Sequence, residues 1–145
     1  MLIAIFDIKT SRKSNLKTFK LTNKPTKLFQ IDENNLLVGT ELGKIEHWVI
    51  DEGVCKKIYD AHPESDAGIS AIKELQTQSE LLRGEPWQEG GFRLIATASL
   101  GAKEFRLWKL VDNQVLQPYL KIETTIEGGI MYLLENSPTQ IVAAN

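Results

Sequence analysis

Cys55 and His62 are the two residues whose types could cooperate in covalent chemistry, an imidazole drawing the proton from a thiol nucleophile. They lie seven residues apart, on or beside one extended run, and no oxyanion-hole or orienting motif accompanies them. The simpler expectation is that Cys55 packs as a small apolar residue and His62 hydrogen-bonds within its own sheet. His47, His62 and Cys55 have no ligand spacing for a metal. Gly39 and Gly43 flank a turn, and Gly128-Gly129 precedes a strand; neither forms a phosphate-cradling loop before a helix. The chain therefore reads as a non-enzyme with no catalytic residue, no cofactor and no metal.

Two segments point instead to binding. The polar excursion Gln76–Gly91 carries Leu81, Leu82, Arg83 and Trp87 among Glu80, Glu85 and Glu89. Trp and Arg on a long loop are the types that most often anchor protein interfaces. The other reading is that Trp87 folds back over its own sheet and Glu80–Arg83 forms one turn of surface helix. The second segment is basic. Residues 1–27 hold seven Lys and Arg, including Arg12 and Lys13, against one acid, Asp7. That gives +6, against −8 in the remainder, for a net charge of −2. Residues 9–27 could approach a nucleic acid or an acidic protein tail. They lack the interleaved aromatics of nucleic-acid platforms, which favours a solvated hairpin whose lysines discourage edge pairing.

The elements that must position these segments are strands. Strand-like runs cover Leu2–Ile8, Leu16–Leu21 (with clear period-two alternation), Lys27–Ile31, Leu36–Thr40, Ile45–Ile50 and Val54–Tyr59. They resume at Ile69–Ile72, Phe92–Ala98, Phe105–Leu110, Leu116–Ile122, Ile130–Leu134 and Gln140–Ala144, with Glu135–Pro138 expected as a turn. At 42% hydrophobic and 25% charged residues, the composition is that of a globular domain. No window approaches the ~18 apolar residues of a membrane span, so no membrane partner is expected. A lone cysteine fits a reducing compartment, and the expected location is cytoplasmic.

Three of these runs share one phrase. Ile3-Ala4-Ile5-Phe6-Asp7-Ile8, Ile45-Glu46-His47-Trp48-Val49-Ile50 and Phe105-Arg106-Leu107-Trp108-Lys109-Leu110 align without gaps. Phe6 to Trp48 spans 42 residues and Trp48 to Trp108 spans 60. Discounting the excursion leaves about 44, the period of four-stranded propeller blades. The chain resembles the WD-repeat β-propeller family over nearly its whole length. Trp48 and Trp108 occupy the family's tryptophan place, while Phe6-Asp7 alone keeps the aspartate after it. Ala61-His62 matches the Gly-His dipeptide. The resemblance implies a hydrogen-bond relay from His62 through Thr or Ser to the tryptophan. Thr40, eight residues before Trp48, and Ser99, nine before Trp108, are the positions it implies.

The expected fold is all-β: a partial β-propeller of two full four-stranded blades plus a half blade at each end. The half blades are 1–22 and 129–145, and the blades are 26–60 and 69–123 with its insertion 76–91. Two blades and two halves are fewer than the 4–8 blades that close a ring. The remaining blades are expected from the same longer protein, a second copy or another chain. The resemblance implies a protein–protein interaction scaffold in a larger assembly, with cytoskeletal and ciliary assemblies among those such propellers serve. The alternative is a nucleic-acid-associated subunit using residues 9–27.

Overall fold

Strands run throughout the computed structural model, which describes residues 2–5, 17–76, 92–137 and 139–145. In chain order they are β1 (Leu2–Ile5), β2 (Lys17–Lys20), β3 (Pro25–Gln30), β4 (Asn35–Thr40), β5 (Lys44–Val49) and β6 (Val54–Asp60). The second half adds β7 (Ile69–Glu74), β8 (Phe92–Ser99), β9 (Glu104–Val111), β10 (Val115–Glu123), β11 (Tyr132–Ser137) and β12 (Gln140–Ala144). The fold is all-β. Two antiparallel four-stranded sheets, β3-β4-β5-β6 and β7-β8-β9-β10, are flanked by the pairs β1-β2 and β11-β12. Among the described residues no helix is long and apolar enough to cross a membrane.

Local chemistry sets the corners. At the β9–β10 corner, Asp112 and Asn113 both take positive φ (51° and 56°), and Gln114 N–H donates to the Val111 carbonyl at 2.9 Å. Three residues, 112–114, thus link the paired Val111 and Val115, and Asp and Asn tolerate the left-handed backbone best after glycine. At the β3–β4 corner, Asp32 accepts from the Asn34 backbone N–H and the Asn35 side chain, both at 2.9 Å. One expectation is corrected here. Glu135 to Ser137 is strand, not turn: β11 runs to Ser137, paired with Gln140 past a register shift. Ladder bonds to β12 outweigh the weak strand preference of Asn136 and Ser137.

The inner strands of each four-stranded sheet are apolar on both faces because both are covered. Leu36 and Val38 of β4, with Trp48 of β5, pack on Phe19 and Leu21. Leu37 and Ile45, on the opposite face, pack with Tyr59 against Ile69, Ile95 and Trp108 of the second sheet. The second sheet's far face, through Phe92, Leu94, Ala96, Phe105 and Leu107, meets Ile130 and Leu133. The four units thus lie face to face in chain order. Strand β3 packs on β7, and β7 on β11, so the first strand of each unit neighbours the first strand of the next. Gly39 permits a close approach of the first sheet to the second. A Cβ there would lie 2.7 Å from Ile69 Cγ2, so any side chain would force β4 from β7.

Candidate functional site

Each tryptophan phrase lays its indole over the outer strand of the preceding unit. Trp48 lies 6.1 Å from the Phe19 ring at an interplanar angle of 38°, and Trp108 lies 6.2 Å from Tyr59, edge to face at 66°. These are favoured separations for aromatic pairs, which add roughly 0.5–1.5 kcal/mol beyond area burial. Both indoles are buried, so each Nε1–H requires an acceptor.

In the second sheet the acceptor is Thr97. Trp108 Nε1–H donates to Thr97 Oγ1 at 2.9 Å, and His62 Nε2 lies 3.1 Å from the same oxygen. His62 Nδ1 is buried with no hydrogen-bond partner. We assign the proton to Nε2, since a bare lone pair on Nδ1 costs less than a buried unpaired N–H. Burial, then the nearby Arg106 guanidinium, pulls the His62 pKa down to about 4, so the ring is neutral near pH 7. A neutral, walled-in imidazole bonded to a threonine holds structure together.

In the first sheet the acceptor is a carboxylate. Trp48 Nε1–H donates to Glu46 Oε2 at 2.9 Å, and Asn23 Nδ2–H donates to Glu46 Oε1 at 3.0 Å. Glu46 is buried with these two partners. Val38 pairs with Glu46 in the first sheet, as Thr97 pairs with Arg106 in the second. The acceptor has moved across the ladder, from the second strand to the third.

The relay positions implied by the family resemblance, Thr40 and Ser99, are corrected by this geometry. Leu36 pairs with Trp48 and Ile95 with Trp108. Thr40 and Ser99 each stand four residues further along, about 13 Å at 3.3 Å per residue. Thr97 is only two along, on the same face and about 7 Å away. Thr40 instead bridges its turn, its Oγ1 lying 3.3 Å from both the Lys44 N–H and the Lys44 carbonyl. Ser99 Oγ lies 2.5 Å from Ser65 Oγ and 2.8 Å from the Ala67 carbonyl, and so ties the β6–β7 link to the sheet. His62 and Trp108 do meet through a hydroxyl. The signal that locates it is the ladder pair two residues before the tryptophan.

Cys55 and His62 belong to different clusters. Cys55 packs beside Trp48 and bonds the Lys57 carbonyl, while His62 lies between the sheets beside Thr97. Burial, then the Glu46 charge, raises the Cys55 thiol pKa, so its thiolate is disfavoured. His47 Nε2 lies 2.9 Å from Asn35 Oδ1, and burial, followed by Lys56, lowers its pKa. Among the described residues no three His, Cys, Asp or Glu side chains gather as a metal would need.

The opposite end of the sheets carries a polar knot that the sequence did not reveal. Arg93 grips Glu74 with two bonds, 2.7 Å and 2.6 Å, and donates to the Ile31 carbonyl of the first sheet at 2.7 Å. It also reaches Asn113 Oδ1 at 3.2 Å. One planar guanidinium thus pins two sheets and a turn. Glu74 and Phe92 are also the rims of the long excursion, and Phe92 pairs with Val111 beside the 112–114 turn. The excursion therefore leaves and re-enters at this end, away from the His62 link. Leu82, Arg83 and Trp87 lie outside the described residues, as do Phe6, Asp7, Arg12 and Lys13. Of the basic segment, Lys20, Lys24 and Lys27 are exposed.

Compared with family models, curated proteins and solved structures, the chain matches none.

Proposed function

We propose that the chain is part of a WD-repeat β-propeller and acts as a non-enzymatic protein–protein interaction scaffold. The observation that carries this reading is the repeated packing of successive units. First strands β3, β7 and β11 neighbour one another, and each complete sheet lays a tryptophan over the outer strand before it. Blades stacked radially about an axis have this arrangement. A scaffold of this kind binds through the turns at its two ends. The end with the excursion rims, the 112–114 turn and the Arg93 knot is the proposed contact surface, with Trp87, Arg83 and Leu82 as anchors. Arg12 and Lys13 are proposed as further contact residues.

The test is capture on the immobilised chain, followed by exchange of Trp87 for alanine. A protein partner retained from low to moderate salt, and lost in Trp87→Ala, is the expected result. Retention of every partner at unchanged affinity in Trp87→Ala contradicts the loop's role. Recovery of RNA or DNA whose binding collapses as salt rises contradicts the protein-scaffold reading in favour of the basic segment.

A further inference from the structure

The two four-stranded sheets end in outer strands of unlike character. Among the described residues β6 pairs only with β5, and β10 only with β9, so each presents one edge with no ladder partner. An open edge offers a row of backbone donors and acceptors to any further strand. The edge of β10 is closed to that use. Pro118 has no N–H to give, and the ladder shifts register between Pro118 and Leu120. Lys121, further along, is held by the Glu104 and Glu64 carboxylates at 2.5 Å and 3.4 Å.

Strand β6 has no proline. From Lys57 to Asp60, past its own register shift, it pairs residue for residue with His47 to Lys44. Val54 and Ile58 are 45% and 53% exposed along it. Facing residues of a ladder share a sheet face. Cys55 and Ile58, opposite Trp48 and Glu46, therefore stand on the side towards Phe19. Lys57 and Tyr59, opposite His47 and Ile45, stand on the side towards the second sheet. Lys56 and Lys57 are exposed, and the groups that hold them are neutral. Lys56 Nζ donates to the Gln114 side-chain oxygen at 2.9 Å, and Lys57 Nζ lies 5.1 Å from the centre of the Tyr59 ring. Among the described residues neither makes an ion pair, whereas Asp60, the one acid of β6, is already met by Lys44 at 3.4 Å.

We infer that β6 takes a fifth strand: an extended segment of another protein in which acidic and apolar residues alternate. Main-chain bonds to the open edge supply the attachment, and alternate side chains supply the choice of partner. The two lysines make that choice. Pairing the full lengths of two β6 strands sets Lys57 opposite its own copy, and like charges directly opposite are destabilising. An acidic strand turns the same charges to attraction. Its carboxylates lie on the side of Lys57 and its apolar side chains on the side of Ile58. Four regular residues, Lys57 to Asp60, are enough for a short strand. Strand addition here needs the order of the sheet alone and not the propeller arrangement, so it stands or falls apart from the proposed function.

The test titrates the chain with a fluorescent peptide, Glu-Val-Glu-Val-Glu-Val-Glu, and follows amide hydrogen exchange with and without it. Saturable binding is expected, with exchange slowed in β6 between Lys57 and Asp60 and unchanged in β10. A peptide with proline for each valine keeps every charge and loses alternate donors, and should bind at least about tenfold more weakly. The double variant Lys56→Glu, Lys57→Glu, with its fold checked by circular dichroism, should weaken binding of the valine peptide about tenfold. The proline comparison uses the unaltered chain and so decides even where the variant misfolds. Equal binding of the two peptides shows charge attraction alone and overturns strand addition. Absence of binding, unchanged affinity in the folded double variant, or protection confined to strands other than β6 overturns it too. Self-association of the chain that slows the same β6 amides assigns the edge to a second copy and overturns the acidic partner.

Discussion

The two four-stranded sheets bury the same indole in the same place and satisfy it by different chemistry. In the second sheet the acceptor is a neutral hydroxyl, Thr97, backed by the neutral imidazole of His62. In the first it is the carboxylate of Glu46, backed by the Asn23 amide. Both backing groups come from the link that precedes the sheet. What repeats is a demand, a buried N–H over the preceding outer strand, together with a direction from which help arrives. The residue types are free to differ as long as the donors and acceptors balance. The two solutions differ in pH response, because the second relay must exclude a proton from His62.

The largest expected effect comes from removing either indole. Trp48→Ala and Trp108→Ala should each cost about 3–5 kcal/mol in denaturant unfolding, since the surrounding sheets cannot collapse into the space. Near-equal costs would support equivalent roles. A cost under about 1 kcal/mol for one of them would break the comparison.

Next comes pH. Burial holds the folded-state pKa of His62 at about 4, below an unfolded value near 6.5, so the unfolded chain takes the proton first as pH falls. The stability is complete above about pH 6.5 and is lost progressively towards pH 4, on the order of 3 kcal/mol in all. His47, also lowered by burial, adds in the same direction. His62→Gln keeps a donor for Thr97 and should flatten most of the slope between pH 6.5 and 4. An unchanged slope would mean that His62 is not held neutral.

Smaller again is the loss of an acceptor. Thr97→Val copies Val38 of the first sheet without its Glu46, and strands the Trp108 N–H at about 1–3 kcal/mol. Pairing it with Arg106→Glu moves the acceptor across the ladder, as in the first sheet, and recovery of part of that loss would show the two relays to be interchangeable. The smallest effect belongs to Glu46→Gln. It retains an oxygen for the indole and should shift stability by under about 1.5 kcal/mol, the difference between a charged and a neutral acceptor.

Strand runs were legible in the sequence because every second residue faces a packed surface. Leu36 and Val38 look one way and Leu37 the other, and both directions are apolar because both are covered. The period was legible through Trp48 and Trp108, since an indole of that size is placed only where a neighbouring sheet accepts it. The relays were not. Choosing Thr40 and Ser99 required only their distance along the chain, whereas the true acceptors are set by cross-strand pairing and reach. Arg93 was hidden for the same reason. Its partners Glu74, Ile31 and Asn113 are local to no single segment and converge only when two sheets and a turn assemble. Glu135–Ser137 misled because local turn preference yields to a ladder already half built.

The stacking of units is the central claim, and proximity between aromatic protons in solution tests it most directly. Nuclear Overhauser contacts are expected from the Trp48 ring to Phe19 and from the Trp108 ring to Tyr59, whose ring centroids lie 6.1 and 6.2 Å apart. Absence of both contacts in a folded sample, or contact of Trp48 with Tyr59 in place of Phe19, would contradict the order in which the sheets are stacked.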